Sequence, residues 1–402
     1  MAQIELRNTS WEWWIRPKIS VFGNRLWLGG IDDSGQVRLD VIASDGTTNR
    51  VVLDNLSGND DHNSCALLTV TGQVPIAFWC RHNQETFLRY KRGSAAAESS
   101  FVPTFGALQQ LSMGAGTTAT YAHAFANSGV IHLWTRVSTG VSQSRYYYYA
   151  RSSDWGATWD IAPEAALDAG FADAYLYPAM AQVGTTLRIG VTESPESARN
   201  DVRYCEVDLT TGAVTSGGST VGNLWTPTGL PVALSSLEVV RDVPVGIHSN
   251  FFDTGANSVP EVTWVEFDSA DTQGTGMYYY AVKRAGTWTV NQVCPSGQEF
   301  GQDATGGYMG GVHCTDVTGA LILSRRSAGG TWTVERWTTV NDGASWTSSV
   351  IASSTSPLVR PFHIPGHPTW KSAYVRIDGY GTGLGDLAGY SNWTGSLIVS
   401  DQ

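Results

Sequence analysis

The chain has 402 residues, of which 42% are hydrophobic and 15% are charged, and its formal net charge at pH 7 is −11. This composition supplies a large apolar core and excludes a disordered or coiled-coil chain. The sequence has no run of Lys and Arg, which excludes a typical nucleic-acid-binding surface. It also has no apolar stretch approaching the roughly 20 residues that span a bilayer, so we expect no membrane insertion.

Short strands are predicted along the whole chain. The sequence contains 16 Trp, 16 Tyr and 44 Gly, a composition typical of twisted sheets joined by tight turns. Alternating runs such as Arg25–Gly30 and Val37–Ala43 are separated by turn residues, as are Ala66–Val70 and Val74–Cys80. A helix is predicted only over Pro163–Asp168.

These runs group into repeating units. The units begin near Arg25, Ser64, Thr120, Tyr177, Val243, Tyr308 and Pro361. A repeat of roughly 40–55 residues that holds four strands is typical of a propeller blade. The sequence therefore predicts an all-β fold, a single β-propeller domain over residues 1–402 with about seven four-stranded blades. We expect an N-terminal strand near residues 5–15 to close the ring, because closure removes exposed sheet edges.

Two octapeptides share one pattern of hydroxyl, Asp or Asn, Gly, hydroxyl and Trp. They are Ser152–Trp159 and Thr339–Trp346. The Asp or Asn side chain is suited to bonding backbone amides of a turn, and the Gly to a positive φ. Both resemble the Asp-box, or BNR repeat, found at hairpin turns of sialidase-type propellers.

Two His-Asn pairs flank a hydrophobic hairpin in the second unit. They are His62-Asn63 and His82-Asn83, and a hairpin between them would bring both pairs to the same end of a blade. In the next unit, Tyr121 and Arg136 are related by the same hairpin spacing. Imidazole groups at such a place can act as a base, as an acid, or as a neutraliser of a substrate carboxylate.

An ordered set of motifs resembles the BNR-repeat propellers that include ulvan lyases and related polysaccharide lyases. The motifs run in the order of that family across nearly the whole chain: Asp60–Asn63, Arg81–Asn83, Thr120–Tyr121, Thr135–Arg136, the Ser152 octapeptide, Tyr175–Pro178, Tyr308–Gly311 and Leu323–Arg325. The sequence departs from the family at Cys80-Arg81, where small residues usually precede the His.

The resemblance implies β-elimination in a uronic-acid-containing polysaccharide, with an acidic polysaccharide as partner and no required cofactor. It assigns His62 and Tyr121 as the base and acid, in an order that the sequence leaves open, and His82 and Arg136 as neutralisers of the carboxylate. The residues expected to bind substrate are Asn63, Asn83, Tyr175, Tyr177 and Arg325. All the catalytic side chains should then meet in one cleft that solvent can reach.

Other functions remain open. One alternative is that the histidines are turn residues that bond the backbone. A second alternative is that the chain is a glycan-binding propeller without catalysis, such as a phage tail protein with other virion proteins as partners. A sialidase-like hydrolase is disfavoured, because the N-terminal segment Trp14–Pro17 lacks the signature of that class. Residues 1–10 lack the features of a secretory signal, and an extracellular or virion-associated location is expected nonetheless.

A structural metal site is an alternative to a protein that holds no metal. The five cysteines are odd in number and widely scattered, which argues against a disulfide framework. The alternative is a structural ion, zinc or calcium, and the candidate ligands for zinc are Cys205, His248, Cys294 and Cys314. These residues lack the short spacing of known zinc motifs, so different blades would have to supply them.

Overall fold

Strands rich in β-branched and aromatic residues build the described chain. The computed structural model describes residues 2–12, 14–56, 60–94, 101–139, 144–168, 176–192, 201–226, 228–244, 247–268, 275–298, 310–378 and 394–402. Its 31 described strands form seven sheets, the blades of a β-propeller, as the sequence predicted. No described helix is long and apolar enough to cross a membrane.

Each blade is an antiparallel meander whose strands follow chain order, apart from the additions noted here. Blade 1 contains β2 (Ile19–Phe22), β3 (Arg25–Ile31), β4 (Gln36–Ala43) and β5 (Thr48–Asn55). Blade 2 contains β6 (Ala66–Leu68), β7 (Ile76–Trp79), β8 (Phe87–Arg92) and β9 (Gln109–Ser112). Blade 3 contains β10 (Thr117–Asn127), β11 (Val130–Thr139), β12 (Ser144–Ser152), β13 (Ile161–Asp168) and the short β19 (Val232–Ala233), which runs parallel to β13.

Blade 4 contains β14 (Tyr177–Val183), β15 (Thr186–Thr192), β16 (Val202–Asp208), β17 (Ala213–Ser216), β18 (Ser219–Asn223) and β20 (Glu238–Arg241), which pairs with β16. Blade 5 contains β21 (Ile247–Thr254), β22 (Glu261–Asp268), β23 (Thr275–Arg284) and β24 (Thr287–Gln298). Blade 6 contains β25 (Val312–Cys314), β26 (Ala320–Arg326), β27 (Trp332–Thr338) and β28 (Thr347–Ser354). Blade 7 contains β29 (Leu358–His363), β30 (Ser372–Asp378), β31 (Thr394–Ser400) and β1 (Gln3–Arg7).

The first strands of blades 1–2, 2–3, 4–5, 5–6 and 6–7 contact one another, which places the first strands at the axis of the ring. The two ends of the chain meet in blade 7, where β1 pairs with β31 from Gln3↔Ser400 to Arg7↔Ser396. Strand β1 overlaps the predicted closing segment only at residues 5–7. Two 3-10 turns, Asp61–Asn63 and Leu234–Ser236, are the helical segments among the residues described in detail.

The segment that follows β1 crosses the centre of the ring. Ser10 bridges Ile31 of blade 1, Arg16 bridges His123 of blade 3, and Leu67 of blade 2 donates its N–H to the carbonyl of Pro17. The Arg16 guanidinium lies 2.9 Å from the Asp253 carboxylate of blade 5. Because these contacts join several inner strands, the segment ties the blades together along the axis.

Tryptophan side chains fill much of the interior. Among the described residues five are fully buried, at Trp11, Trp27, Trp79, Trp134 and Trp264. The largest apolar cluster draws residues from blades 1, 2, 3, 5, 6 and 7, so one core runs around most of the ring. Large rings suit this role because they bury much apolar area with few rotatable bonds.

The two octapeptides fold into the same turn, each between the third and fourth strands of a blade. In the first turn, Ser152 Oγ accepts from the Gly156 N–H at 2.7 Å and Asp154 Oδ1 accepts from the Thr158 N–H at 2.8 Å. The second turn repeats this pattern with Thr339, Asn341, Gly343 and Ser345. The glycines have φ values of +78° and +92°, a region that favours glycine.

The helix predicted near Pro163–Asp168 is wrong, because Ile161–Asp168 is strand β13. The segment pairs with β12 from Tyr146↔Asp168 to Arg151↔Ile161, with two irregularities in register. Its backbone groups thereby complete the sheet. Tertiary pairing outweighs the local helical preference of the short Glu-Ala-Ala-Leu run.

Candidate active site

The topology brings the predicted catalytic residues to one end of the ring. His62 directly precedes β6, and His82 lies in the loop that follows β7. Tyr121 lies near the start of β10, and Arg136 lies near the end of β11, which runs antiparallel to β10. Starts of first strands and ends of second strands share the same end of a blade, so the four side chains meet there. The two octapeptide turns connect third to fourth strands and lie at the opposite end.

The two predicted imidazoles stack on each other around one carboxylate. The rings of His62 and His82 are parallel within 4°, with centroids 4.0 Å apart. His62 Nδ1 lies 2.6 Å from Asp60 Oδ1, and His82 Nδ1 lies 2.9 Å from Asp60 Oδ2. Asp60 also begins the 3-10 turn, where its side chain accepts the N–H of His62. A single aspartate therefore orients both rings.

The stacked rings differ in charge. Burial opposes a charge on His62, but the carboxylates of Asp60 and Glu12 and hydrogen bonds to Asp60 and Asp61 raise the pKa of His62 well above its usual value. Burial and then the positive charge of His62 lower the pKa of His82 to about 4, although Asp60 opposes this shift. At neutral pH the pair therefore consists of one imidazolium, His62, and one neutral imidazole, His82.

The protonation of each His82 nitrogen follows from its partners. A carboxylate only accepts, so Nδ1 carries the proton that is donated to Asp60. His82 Nε2 then accepts a hydrogen bond from the Asn83 amide at 2.9 Å. Asn83 has a φ of +52°, and its Oδ1 accepts from the Thr120 hydroxyl at 2.9 Å, next to Tyr121. His82 thus presents a lone pair rather than a proton on its outer nitrogen.

Asn63 fixes the two histidine loops to each other. Its Oδ1 accepts the backbone N–H of His82 at 2.7 Å, and its side chain is buried. The sequence-based expectation placed Asn63 in contact with substrate. In the structure the Asn63 side-chain oxygen instead accepts a hydrogen bond from the neighbouring loop. Asn83, at the same end, is exposed.

Tyr121 occupies an irregular position in β10. The register with β11 shifts between Thr120 and Ala122, and Tyr121 has a φ of +58°, a strained conformation for an aromatic residue. Its ring lies 5.5 Å from that of His62 and 6.4 Å from that of His82. Strain of this kind costs about 1–3 kcal/mol and is typical of functional sites.

The Arg136 guanidinium lies between two tyrosine rings. Its carbon is 4.4 Å from the ring centre of Tyr121 and 5.1 Å from that of Tyr177. Within the described part of the chain, its Nε and Nη1 have no hydrogen-bond partner and no carboxylate lies at ion-pair distance from it. A buried cation without an anionic partner is costly, which indicates a place for a bound anion.

The cluster is mostly closed to solvent. His62 is 5% exposed, and Tyr121 and Arg136 are each 1% exposed. The His82 side chain is 21% exposed and that of Asp60 is 28% exposed. The four catalytic candidates therefore lie together as expected. The expected access to solvent is found only at His82, Asp60, Asn83 and Tyr177. A ligand has to displace a neighbouring side chain to contact Tyr121 or Arg136.

Two other predicted substrate-binding residues lie apart from this cluster or cannot be placed. Tyr175 lies outside the described residues. Arg325 bonds Glu335 at 3.0 Å and lies over the Trp337 ring within blade 6. Its described contacts do not include the four catalytic candidates, so the structure does not bring Arg325 into the cluster.

A profile of the BNR repeat-containing family matches residues 31–295, more than half of the chain. The chain belongs to this family. No curated protein sequence matches this BNR-repeat protein. Among solved structures, it is similar to the polysaccharide lyase PL25-Ulvanlyase bound to -[GlcA(1-4)Rha3S]-, with a TM-score of 0.72 and 10% identity over 100% of this chain and 95% of that chain.

A second similar structure is the polysaccharide lyase Uly1, with a TM-score of 0.62 and 13% identity over 96% of this chain and 91% of that chain. At these identities the likeness shows that the BNR-repeat protein shares the fold of the lyases.

Trp14, Asp60, Asp61 and Arg360 were missed as site residues by sequence reasoning. The Trp14 ring lies 4.4 Å from that of Tyr177 and 5.5 Å from that of Tyr121. Asp60 and Asp61 had a local signal, because they adjoin His62 in a motif already singled out. Trp14 and Arg360 had none, since only the closed ring brings residues 14 and 360 to this place.

Two groups of potential metal ligands occur among the described residues, and both belong to this cluster. In the first, Asp60, His62 and His82, the shortest separation is 2.6 Å, whereas ligands about 2.1 Å from a tetrahedral zinc lie about 3.4 Å apart. The first group therefore has hydrogen-bonded geometry. In the second, Glu12, Asp61 and His62, the Arg360 guanidinium already faces both carboxylates.

The cysteines predicted as metal ligands lie in three different blades. Cys205 is in β16, Cys294 is in β24 and Cys314 is in β25, and all three are free and buried. Burial raises the pKa of the Cys205 and Cys294 thiols to about 12, which disfavours the thiolate that zinc binds. The side chain of His248 lies outside the described residues. A structural zinc ion at this set stays a prediction.

Proposed function

We propose that this protein is a polysaccharide lyase that cleaves a uronic-acid-containing glycan by β-elimination. The observation that carries the proposal is the buried Arg136 guanidinium, which has no carboxylate partner among the described residues and lies beside Tyr121 and the stacked histidines. A uronate carboxylate supplies the missing negative charge. Its neutralisation makes the proton on the adjacent carbon easier to remove.

The reaction needs a base, an acid and a neutraliser. The base takes the proton from C5, a double bond forms between C4 and C5, and the bond from C4 to the glycosidic oxygen breaks. The acid then gives that oxygen a proton. Atoms and charge balance without a cofactor, and a proton-transfer group of this kind contributes about 10²–10⁴-fold in rate.

We assign the two neutral side chains to proton transfer and the two cations to the carboxylate. His82 has a proton on Nδ1 held by Asp60, and its Nε2 lone pair becomes the base once the Asn83 amide that donates to it gives way to substrate. The Tyr121 hydroxyl is the acid. His62 and Arg136 are the cations that neutralise the carboxylate. This assignment exchanges the roles that the sequence gave His62 and His82, because one carboxylate shared by two rings favours a single imidazolium.

The partner that fits this site is an acidic polysaccharide. Asn83, Asp60 and Tyr177 are accessible at the same end of the ring and are suited to contact sugar hydroxyls or rings. The net charge of −11 does not favour an anionic ligand over the whole surface. Recognition therefore rests on the local cations, which act strongly because they are shielded from water.

A second candidate function is glycan binding without cleavage, as in a virion tail protein. The burial of Tyr121, His62 and Arg136 favours it, because a site that does not open cannot perform the reaction. Under this alternative the glycan contacts only the exposed residues at the same end of the ring.

The test is to incubate the protein with a panel of uronate polysaccharides and to follow the ultraviolet absorbance of the unsaturated product. Tyr121→Phe should lower the rate at least about 100-fold, because it removes the proposed acid. Tyr149→Phe is the matched control, since it removes a buried tyrosine hydroxyl in the same blade that bonds His132 instead. Binding without product on every uronate glycan would favour the non-catalytic alternative, and equal rates for the two variants would remove Tyr121 from the reaction.

A further inference from the structure

A row of charged side chains runs from blade 7 to the stacked imidazoles. The Arg360 Nη2 group contacts the Asp61 Oδ2 atom, and Asp61 Oδ1 lies 3.1 Å from His62 Nδ1. His62 is in turn joined to His82 through the two oxygens of Asp60, at 2.6 and 2.9 Å. Five ionisable groups from three parts of the chain, residues 60–62, His82 and Arg360, thus form one continuous series of contacts.

The backbone holds Arg360 in an unusual conformation that directs it to this row. Its φ is +56°, and the pairing of β29 with β30 is interrupted between Val359 and Phe362. The Arg360 N–H donates to the Gly310 carbonyl at 2.7 Å, and its Nη1 donates to Ser10 Oγ at 3.0 Å and to the Trp11 carbonyl. A strained residue is retained where surrounding contacts over-determine it, and such residues cluster at functional sites.

Apart from the Arg136 guanidinium, which faces His82, the charges around the imidazoles leave an excess of one negative charge. Asp60, Asp61 and Glu12 carry three negative charges, and Glu12 Oε2 lies 3.8 Å from Arg360 Nη2. Arg360 and the His62 imidazolium carry two positive charges. Without Arg360 the excess would be two, and the next group available to take up a proton is His82.

Each ring has further neighbours that bear on its protonation. The charged and titratable groups that face His62 are Asp60, Asp61, Glu12, His82 and Tyr121. Those that face His82 are Asp60, His62, Arg136 and Tyr121. Arg360 contacts the Asp61 and Glu12 carboxylates, so it acts on the rings through those carboxylates and through its charge.

We propose that Arg360 is a positioning residue for the elimination: it holds Asp61 against His62 and neutralises it, so that the two stacked imidazoles keep only one positive charge. His82 thereby stays unprotonated and available as a base. The inference rests on the proposed function for its catalytic meaning, but the arrangement of charges can be measured without catalysis. Burial alone would raise the pKa of Asp61, whereas the charge of Arg360 and the bond from His62 lower it to about 2, in agreement with a permanently ionised Asp61.

The experiment follows the ring signals of the histidines by NMR during a pH titration, with His82 assigned through His82→Gln. In the wild-type protein the His82 signal should titrate near pH 4. In Arg360→Met we expect its midpoint to rise toward the ordinary histidine value of about 6.5, whereas Arg360→Lys should keep it low. If the lyase is active, the acid limb of its pH–rate profile should shift in the same direction in Arg360→Met alone.

The double variant Asp61→Asn/Arg360→Met removes one charge of each sign and should return the His82 midpoint close to that of the wild type. If Arg360→Met does not fold, the double variant is measured in its place. An unchanged His82 midpoint in folded Arg360→Met, or a raised midpoint in the double variant, would overturn the inference. Absence of elimination by the wild-type protein would instead overturn only the proposed function, because the NMR titration does not depend on activity.

Discussion

Two pairs of histidines lie in neighbouring blades, and among their four rings only His62 has a raised pKa. His62 and His82 lie in loops at the end of the ring and share the Asp60 carboxylate. His123 and His132 lie within strands β10 and β11, and both are fully buried. Burial lowers the pKa of His123 well below its usual value and that of His132 to about 4. Burial therefore keeps an imidazole neutral unless the surrounding carboxylates outweigh it, as they do at His62 but not at His82.

The neighbours of the second pair are consistent with a structural role. His132 Nδ1 lies 2.8 Å from the Tyr149 hydroxyl, and the ring of His123 lies 5.6 Å from that of Tyr147. Arg16 and Lys18 add positive charge near His123, which further disfavours its protonation. The chemical difference between the pairs therefore comes from their partners rather than from depth alone.

The largest effect is expected at Asp60, whose carboxylate His62 and His82 share. Asp60→Asn should lower the rate of elimination about 1,000-fold, because the amide cannot accept from both Nδ1 groups and the His62 charge loses its nearest partner. The measurement is kcat on the best uronate substrate, with circular dichroism to confirm folding. A variant that retains more than about a tenth of the activity would show that the carboxylate is not needed to orient His82.

The comparison predicts opposite pH dependence of stability for His62 and His123. The pKa of His62 is raised in the folded state, so its contribution is fully present below the unfolded value of about 6.5 and is lost as pH rises through the folded pKa. The pKa of His123 is lowered in the folded state, so the unfolded chain binds the extra proton and stability falls as pH drops below about 6.5.

Urea unfolding at several pH values measures this difference. His62→Gln should flatten the curve of unfolding free energy on its alkaline side, and His123→Leu should flatten it on its acidic side. Each group contributes a slope of up to about 1.4 kcal/mol per pH unit. The same change in slope from both variants would contradict the comparison.

The smallest effect is expected within blade 3. His132→Phe should leave elimination within about two-fold of wild type and should lower the free energy of unfolding by about 1 kcal/mol, because it removes one hydrogen bond to Tyr149. Chemical denaturation and the same ultraviolet assay measure both quantities. A large loss of activity with unchanged stability would place His132 in the site after all.

The sequence motifs predicted which four side chains lie together, although each motif alone is a weak signal. His62, His82, Tyr121 and Arg136 were recognised from two hairpin spacings, and a hairpin brings its two ends together whatever the rest of the chain does. Trp14 and Arg360 were not recognised, because their neighbours are distant in sequence. The positive φ of Tyr121 was not recognised either, because it depends on the bulge that only strand pairing creates.

The sequence by itself determined the all-β class, the blade repeat and the end of the ring where the histidines lie, because alternation, turn residues and hairpin spacing are local properties. Tertiary structure alone decided which imidazole is charged, how deeply Tyr121 and Arg136 are buried, and that Arg360 reaches Asp61. These features depend on distances between charges and on water excluded by neighbouring blades, and neither quantity exists until the ring has closed.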